Sequence, residues 1–177
     1  MKIKARVLPV PVISYGDRTL QPEQPGSWNL RNVRLYEPKK LVVWAVVNLG
    51  DRRTFEQPGP TGFGGFLQDL QQTLGNMGMQ VANPEVVVHR QARQQPVASV
   101  MAEAHGALCR SRRGSPQMIM VVLPEKEVFI YKEVKKESDC VLGLPSQCIV
   151  MRNAGIGVPP CAPRDVPLAN LPQVPVV

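Results

Sequence analysis

Two rhythms of apolar residues alternate along the middle of the chain. Residues 41–47 form an unbroken apolar run that includes Val42, Val43, Val46 and Val47, the pattern of a strand buried on both faces of a parallel sheet. A Gly/Pro loop over 58–65 follows. Phe66, Leu67, Leu70, Leu74 and Met77 then recur at three- and four-residue steps and predict a helix over 64–77, ended by Gly75 and Gly78. Val86, Val87 and Val88 predict a short second strand. Pro96 is expected at a first-turn position of a second helix, whose apolar stripe is Val97, Val100, Met101, Ala104 and Leu108 and whose exit over 110–114 is basic. Residues 118–123 predict a third buried strand stopped by Pro124, residues 131–136 a further helix, and residues 147–151 a fourth strand. The alternation predicts an α/β fold of about four parallel strands with helices on both faces. Ligands of such open sheets bind beyond the carboxyl ends of the strands, so the residues after Leu123 stand where a ligand is expected.

Outside residues 39–154 this pattern lapses. Residues 1–38 read as an extended linker, apolar near Val10 and Ile13 but punctuated by Pro9 and Pro11 and so unsuited to a central strand. A turn is expected over 15–18 and a loop over 21–26, and Trp28 is expected to pack against the adjoining domain. Residues 155–177 have no helical period and contain six prolines, which reads as a Pro-rich tail or insertion, truncated at Val177.

Composition narrows the class. A hydrophobic share of 44% and a charged share of 20% are those of a soluble globular protein. The net charge of +7 favours polyanionic partners: RNA, DNA or an anionic surface. The longest apolar run, 41–49, is too short for a membrane span and contains Asn48. The N-terminus lacks the apolar core of a secretion signal. A reduced, cytoplasmic, monomeric protein away from membranes is therefore expected. Cys109, Cys140, Cys148 and Cys161 form no CxxC pair, so neither zinc nor any other cofactor is expected.

Several motifs invite chemistry. Thr61-Gly62-Phe63-Gly64-Gly65 stands between strand and helix but lacks the phosphate-loop spacings and a following lysine, and reads as a flexible surface loop. His89 and His105 have no triad or metal-ligand arrangement nearby, and His105 is expected to face solvent. Carboxylates are scattered, so no catalytic residue is assigned and the chain is read as non-enzymatic. The informative stretch is Tyr131-Lys132-Glu133-Val134-Lys135, followed by Gln147-Cys148. On a helix Tyr131 and Lys135 point the same way, placing an aromatic plate beside a positive charge, as a nucleotide's base and phosphate require. An amphipathic helix with one aromatic in the core explains the same spacing. Cys148 is either a small buried core residue or a weak donor to phosphate.

A resemblance adds to this reading. Leu8-Pro9-Val10-Pro11-Val12-Ile13-Ser14-Tyr15-Gly16, Gly26-Ser27-Trp28-Asn29-Leu30-Arg31-Asn32 and Val43-Trp44-Ala45-Val46 resemble the second linker and the start of the MID domain in eukaryotic Argonaute proteins. Val122-Leu123-Pro124, the stretch from Tyr131 to Lys135, Leu142-Gly143-Leu144 and Ser146-Gln147-Cys148-Ile149 are similar to that domain's guide-binding core, in the same order. The match covers about residues 7–153, and divergence between the motifs suggests a fungal-type member.

The resemblance implies a Rossmann-like domain over 39–154 that holds the 5′-phosphorylated end of a small guide RNA during gene silencing, with the other Argonaute domains as partners. Tyr131 would stack on the first base, and Lys135 and Gln147 would bind its 5′ phosphate. Cys148 would add a contact to that phosphate, and Asn153 would touch the second one. Val150 departs from the glutamine common in relatives. The family's pocket has a further lysine beyond the Gln147-Cys148 strand, yet none follows Lys136, so it would lie past Val177 or the pocket is incomplete. The loop from Pro124 to Tyr131 is one residue longer than in relatives and carries Glu125, Lys126 and Glu127, which leaves the preferred base open. The family's nuclease and 3′-end-binding domains have no counterpart in this sequence. The alternative is a protein-interaction module on the same scaffold with an incomplete nucleotide pocket; a nucleotide-dependent transferase ranks third.

Overall fold

The computed structural model describes residues 6, 8–22, 28, 32–90 and 95–158. In chain order the elements are β1 (Ile13–Ser14), β2 (Thr19–Leu20), β3 (Lys40–Leu41), β4 (Trp44–Asn48), α1 (Arg52–Phe55) and α2 (Phe63–Asn76). They continue with β5 (Gln80–Val81), β6 (Val86–His89), α3 (Val97–Cys109), β7 (Met118–Leu123), α4 (Val128–Lys136) and β8 (Ser146–Val150). The central sheet is four-stranded and wholly parallel, ordered β6-β4-β7-β8. This is the expected Rossmann-like architecture.

Strand alternation divides the core between two helical layers. Ala45 and Val47 of β4 and Ile119, Val121 and Leu123 of β7 pack on the α3 stripe and on Val134 of α4. Trp44 and Val46, with Met120 and Val122, face Phe63, Phe66, Leu67 and Leu70 of α2 on the other side. Every residue of β4 is buried, as continuous apolar strands require when helices cover both faces. Asn48 is the polar exception: its Oδ1 accepts from Gly50 N at 3.0 Å and its Nδ2 meets His89 Nδ1 at 3.2 Å. Among the described residues no helix is long and apolar enough to cross a membrane.

The run 41–47 is not one strand. Gln117 clasps it in the middle, its Oε1 accepting from Val42 N at 2.6 Å and Val43 N at 2.8 Å while its Nε2 donates to Lys40 O at 2.8 Å. The backbone donors there are committed to a side chain, so β4 starts at Trp44. The preceding β3 joins β5 in a separate parallel pair. Pro96 takes the N-cap of α3 rather than its first turn, its ψ of 139° keeping it outside the helix. The helix expected from residue 131 begins at Val128 and runs on as a π-helical turn, Glu137–Leu142, which ends at Gly143 in the left-handed region (φ 62°).

The N-terminal segment wraps the end of α2. Tyr15 N donates to Arg18 O across the expected turn, closing the β1–β2 hairpin. Tyr15, Val33 and Met77 form a small satellite core. Trp28 does not share it: 41% of its surface stays exposed, against expectation. The glycine loop is not loose either. Phe63 stacks on Phe55 with centroids 4.5 Å apart, and a Cβ on Gly62 would sit 1.7 Å from Gln57 O. Those glycines permit close backbone approach.

Candidate functional site

Helix α4 sets the geometry around the Tyr131 stretch. Ile130 and Val134, four residues apart, turn into the core, and Val134 is fully buried. Tyr131 and Lys135 lie next to them around the helix. Tyr131 keeps 39% of its surface exposed, so the aromatic is not a core residue and the purely amphipathic explanation of the spacing fails. Val128 and Phe129, each 67% exposed, extend this apolar surface at the start of α4.

Lys135 is half-buried and its ammonium is held in place. Nζ donates to Ser146 O at 2.5 Å and to Ser146 Oγ at 3.1 Å. An ammonium has three donors, so one remains after these two bonds, the only ones it makes among the described residues. Ser146 is brought beneath it by a clasp across the π-helical turn. Leu144 N donates to Ser138 O at 3.2 Å, and the buried Ser138 hydroxyl donates back to Leu144 O. The left-handed Gly143 turns the chain so that β8 can start two residues after Leu144.

Cys148 lies on the same face of β8 as the α4 layer, packed with Val150 against that core. Burial pushes its thiol up to about 11, while the Lys135 charge pulls the other way. Both earlier readings of Cys148 keep support: it is half-buried in the core, and it stands within reach of the Lys135 field. Gln147 occupies the alternate face with Ile149, its Nε2 donating to Cys148 O at 3.1 Å. Asn153 is exposed in the turn after β8. The structure thus gathers Tyr131, Lys135 and Cys148 along α4 and its side of β8, and sets Gln147 on the other face of that strand. Sequence reasoning assigned no role to Ser146; a serine just before the Gln147-Cys148 strand was the only signal available.

A cavity of about 700 Å³ lies elsewhere, beside the carboxyl end of β6, the edge where sheet topology places ligands. Its lining includes Phe55, Glu56, Phe63, Asp69 and His89, and none of the residues nominated above. Asn48 Oδ1 is engaged by Gly50 N, so Nδ2 is the donor to His89 Nδ1, which leaves the His89 proton on Nε2, 3.3 Å from Glu56. Burial holds the His89 pKa below its ordinary value, opposed by Glu56. Two carboxylates and no lysine or arginine line this cavity, the wrong charge for a phosphate. His105, expected in solvent, is half-buried with Nε2 3.5 Å from Cys109 Sγ.

The fold and the α4–β8 cluster define a Rossmann-like domain that offers an aromatic and an anchored cation side by side. The family model described as the Mid domain of argonaute matches residues 22–106. Over that stretch the chain is similar to the Argonaute family. It is 24% identical to the argonaute of Schizosaccharomyces pombe, across 98% of this chain and 23% of that protein. It is 27% identical to argonaute PNH1 of Oryza sativa across 85% of this chain and 15% of that protein, and 30% identical to putative protein tag-76 of Caenorhabditis elegans across 88% and 15%. Relatives thus come from plants and an animal as well as a fungus. The fold is similar to Kluyveromyces polysporus Argonaute with a guide RNA, at a TM-score of 0.54 and 14% identity over 86% of this chain and 19% of that one. It is similar also to Drosophila Piwi, at 0.51 and 15% over 84% and 20%. The chain spans between 15% and 23% of the length of these curated relatives.

Proposed function

We propose that this domain anchors the 5′-phosphorylated end of a small guide RNA for gene silencing, by binding and without catalysis. The observation that carries the proposal is the half-buried Lys135 ammonium, fixed by Ser146 with one donor to spare, one helical turn from the exposed ring of Tyr131. In this reading the spare donor meets the 5′ phosphate in a charge-assisted bond, and Tyr131 stacks on the first base. Cys148 adds a weak thiol contact, Gln147 reaches the phosphate around the edge of β8, and Asn153 contacts the second phosphate. The match to the argonaute Mid-domain model and the guide RNA in the Kluyveromyces polysporus structure support the ligand class. The domain runs over 39–154, after a linker over 1–38 and before a Pro-rich segment over 155–177; the remainder of an Argonaute supplies its partners.

Nucleoside 5′-monophosphates should bind more tightly than the nucleosides in an NMR titration of the 177-residue chain. Losing a hydrogen bond to a charged group costs about 1.5–3 kcal/mol, so Lys135→Ala should weaken monophosphate binding by at least tenfold. Loss of stacking worth about 1–3 kcal/mol should weaken both ligand types in Tyr131→Ala. Unchanged affinity in both variants would place the site elsewhere.

A further inference from the structure

The cation of this site is not a free surface lysine, and what holds it is a single residue. We infer that Ser146 is the positioning residue of the Lys135 ammonium: it fixes the charge where a 5′ phosphate is to be met and so sets the preference for a phosphorylated over an unphosphorylated end. The inference rests on the function proposed above and assigns Ser146 no contact with the ligand.

Three observations converge. Ser146 offers two acceptors to one ammonium, the carbonyl at 2.5 Å and the hydroxyl at 3.1 Å, which define a direction for the remaining N–H. The serine is itself buried, at 8% exposure, on the first residue of β8, paired in register with Ile119 of the rigid central strand β7. The turn that delivers it is closed by the reciprocal Ser138–Leu144 bonds, with Ser138 only 1% exposed. A lysine side chain has four rotatable bonds, and ordering it freshly at each binding event would cost affinity; holding it beforehand removes that cost. The carbonyl and hydroxyl also satisfy two of the ammonium's donors beside the apolar surroundings of Cys148 and Val134.

The test uses a matched pair at one position. Ser146→Thr keeps the hydroxyl, Ser146→Val has nearly the same shape without it, and both side chains suit a strand. The probes are adenosine 5′-monophosphate and adenosine, titrated into the 177-residue chain, with the ratio of their affinities as the readout and the exchange rate of the Lys135 ammonium protons as the spectroscopic signature. Ser146→Thr should keep the wild-type ratio. Ser146→Val should lower it at least fivefold, with faster ammonium exchange, while adenosine binding through Tyr131 stays the same. A wild-type ratio retained in Ser146→Val overturns the positioning role and leaves the proposed function standing. Wild-type protein that binds both probes equally overturns the proposed function and this role with it.

Discussion

At the scale of single residues, the site depends on which groups are charged and which are kept neutral. Cys148 feels the Lys135 charge, but burial outweighs it and holds the thiol near 11. A shift from 9.0 to about 11 cuts the thiolate fraction about a hundredfold near neutral pH. Alkylation at pH 8 should therefore modify the exposed Cys109 and Cys140 well before Cys148, as peptide mapping by mass spectrometry would report. Equal rates would mean that the thiol is not buried as described. Because the folded chain keeps this proton between pH 9 and about 11 while the unfolded chain releases it, stability should decline as pH rises through that window. The spacing of Tyr131 and Lys135 was legible in the sequence, since four residues make one helical face. The Ser146 contacts were not, because they depend on where a chain reversal at Gly143 deposits the next strand.

At the scale of elements, hydrophobic period was a sufficient guide wherever an element is covered by others. The four central strands and helices α2 and α3 were legible within a few residues, because two-sided burial leaves a continuous or three-to-four spaced apolar signature. It failed where a distant side chain competes for backbone groups. Nothing in residues 41–47 announces a break, since the residue that makes it is 75 positions away from Val42. Gln117→Leu should leave the amides of Val42 and Val43 without their acceptor. Gln117 is exposed, so water replaces part of what is lost, and a cost of about 1–2 kcal/mol is expected, with thermal unfolding lowered by a few degrees. Hydrogen exchange should accelerate at those two amides and not in β7; uniform acceleration would show that the clasp is not local. The π-helical turn after α4 was likewise illegible, because six residues are too few for a change of helical period to show.

At the scale of the whole molecule, the proposed site and the overall charge predict two different kinds of attraction for RNA. A net charge of +7 attracts any polyanion, whereas the α4–β8 site offers one anchored cation and one aromatic. The two differ in how they respond to salt, because a polyanion bound along a basic surface releases one set of counterions for every phosphate it neutralises. Single-stranded nucleic acid gives a slope of log affinity against log salt of roughly −0.7 per phosphate contacted. If the domain grips only the first phosphate through Lys135 and the second near Asn153, a 5′-phosphorylated oligonucleotide should show a slope between about −0.7 and −1.4. That slope should not steepen as nucleotides are added at the 3′ end. Removing the 5′ phosphate should flatten it by about one contact's worth, and Lys135→Ala should do the same. The exposed arginines distributed along the chain, Arg53, Arg112 and Arg152 among them, predict the opposite if they dominate: a slope that grows with oligonucleotide length and ignores the 5′ end. Fluorescence anisotropy across a salt series, with matched phosphorylated and unphosphorylated oligonucleotides, decides between an end-anchoring site and a merely basic surface.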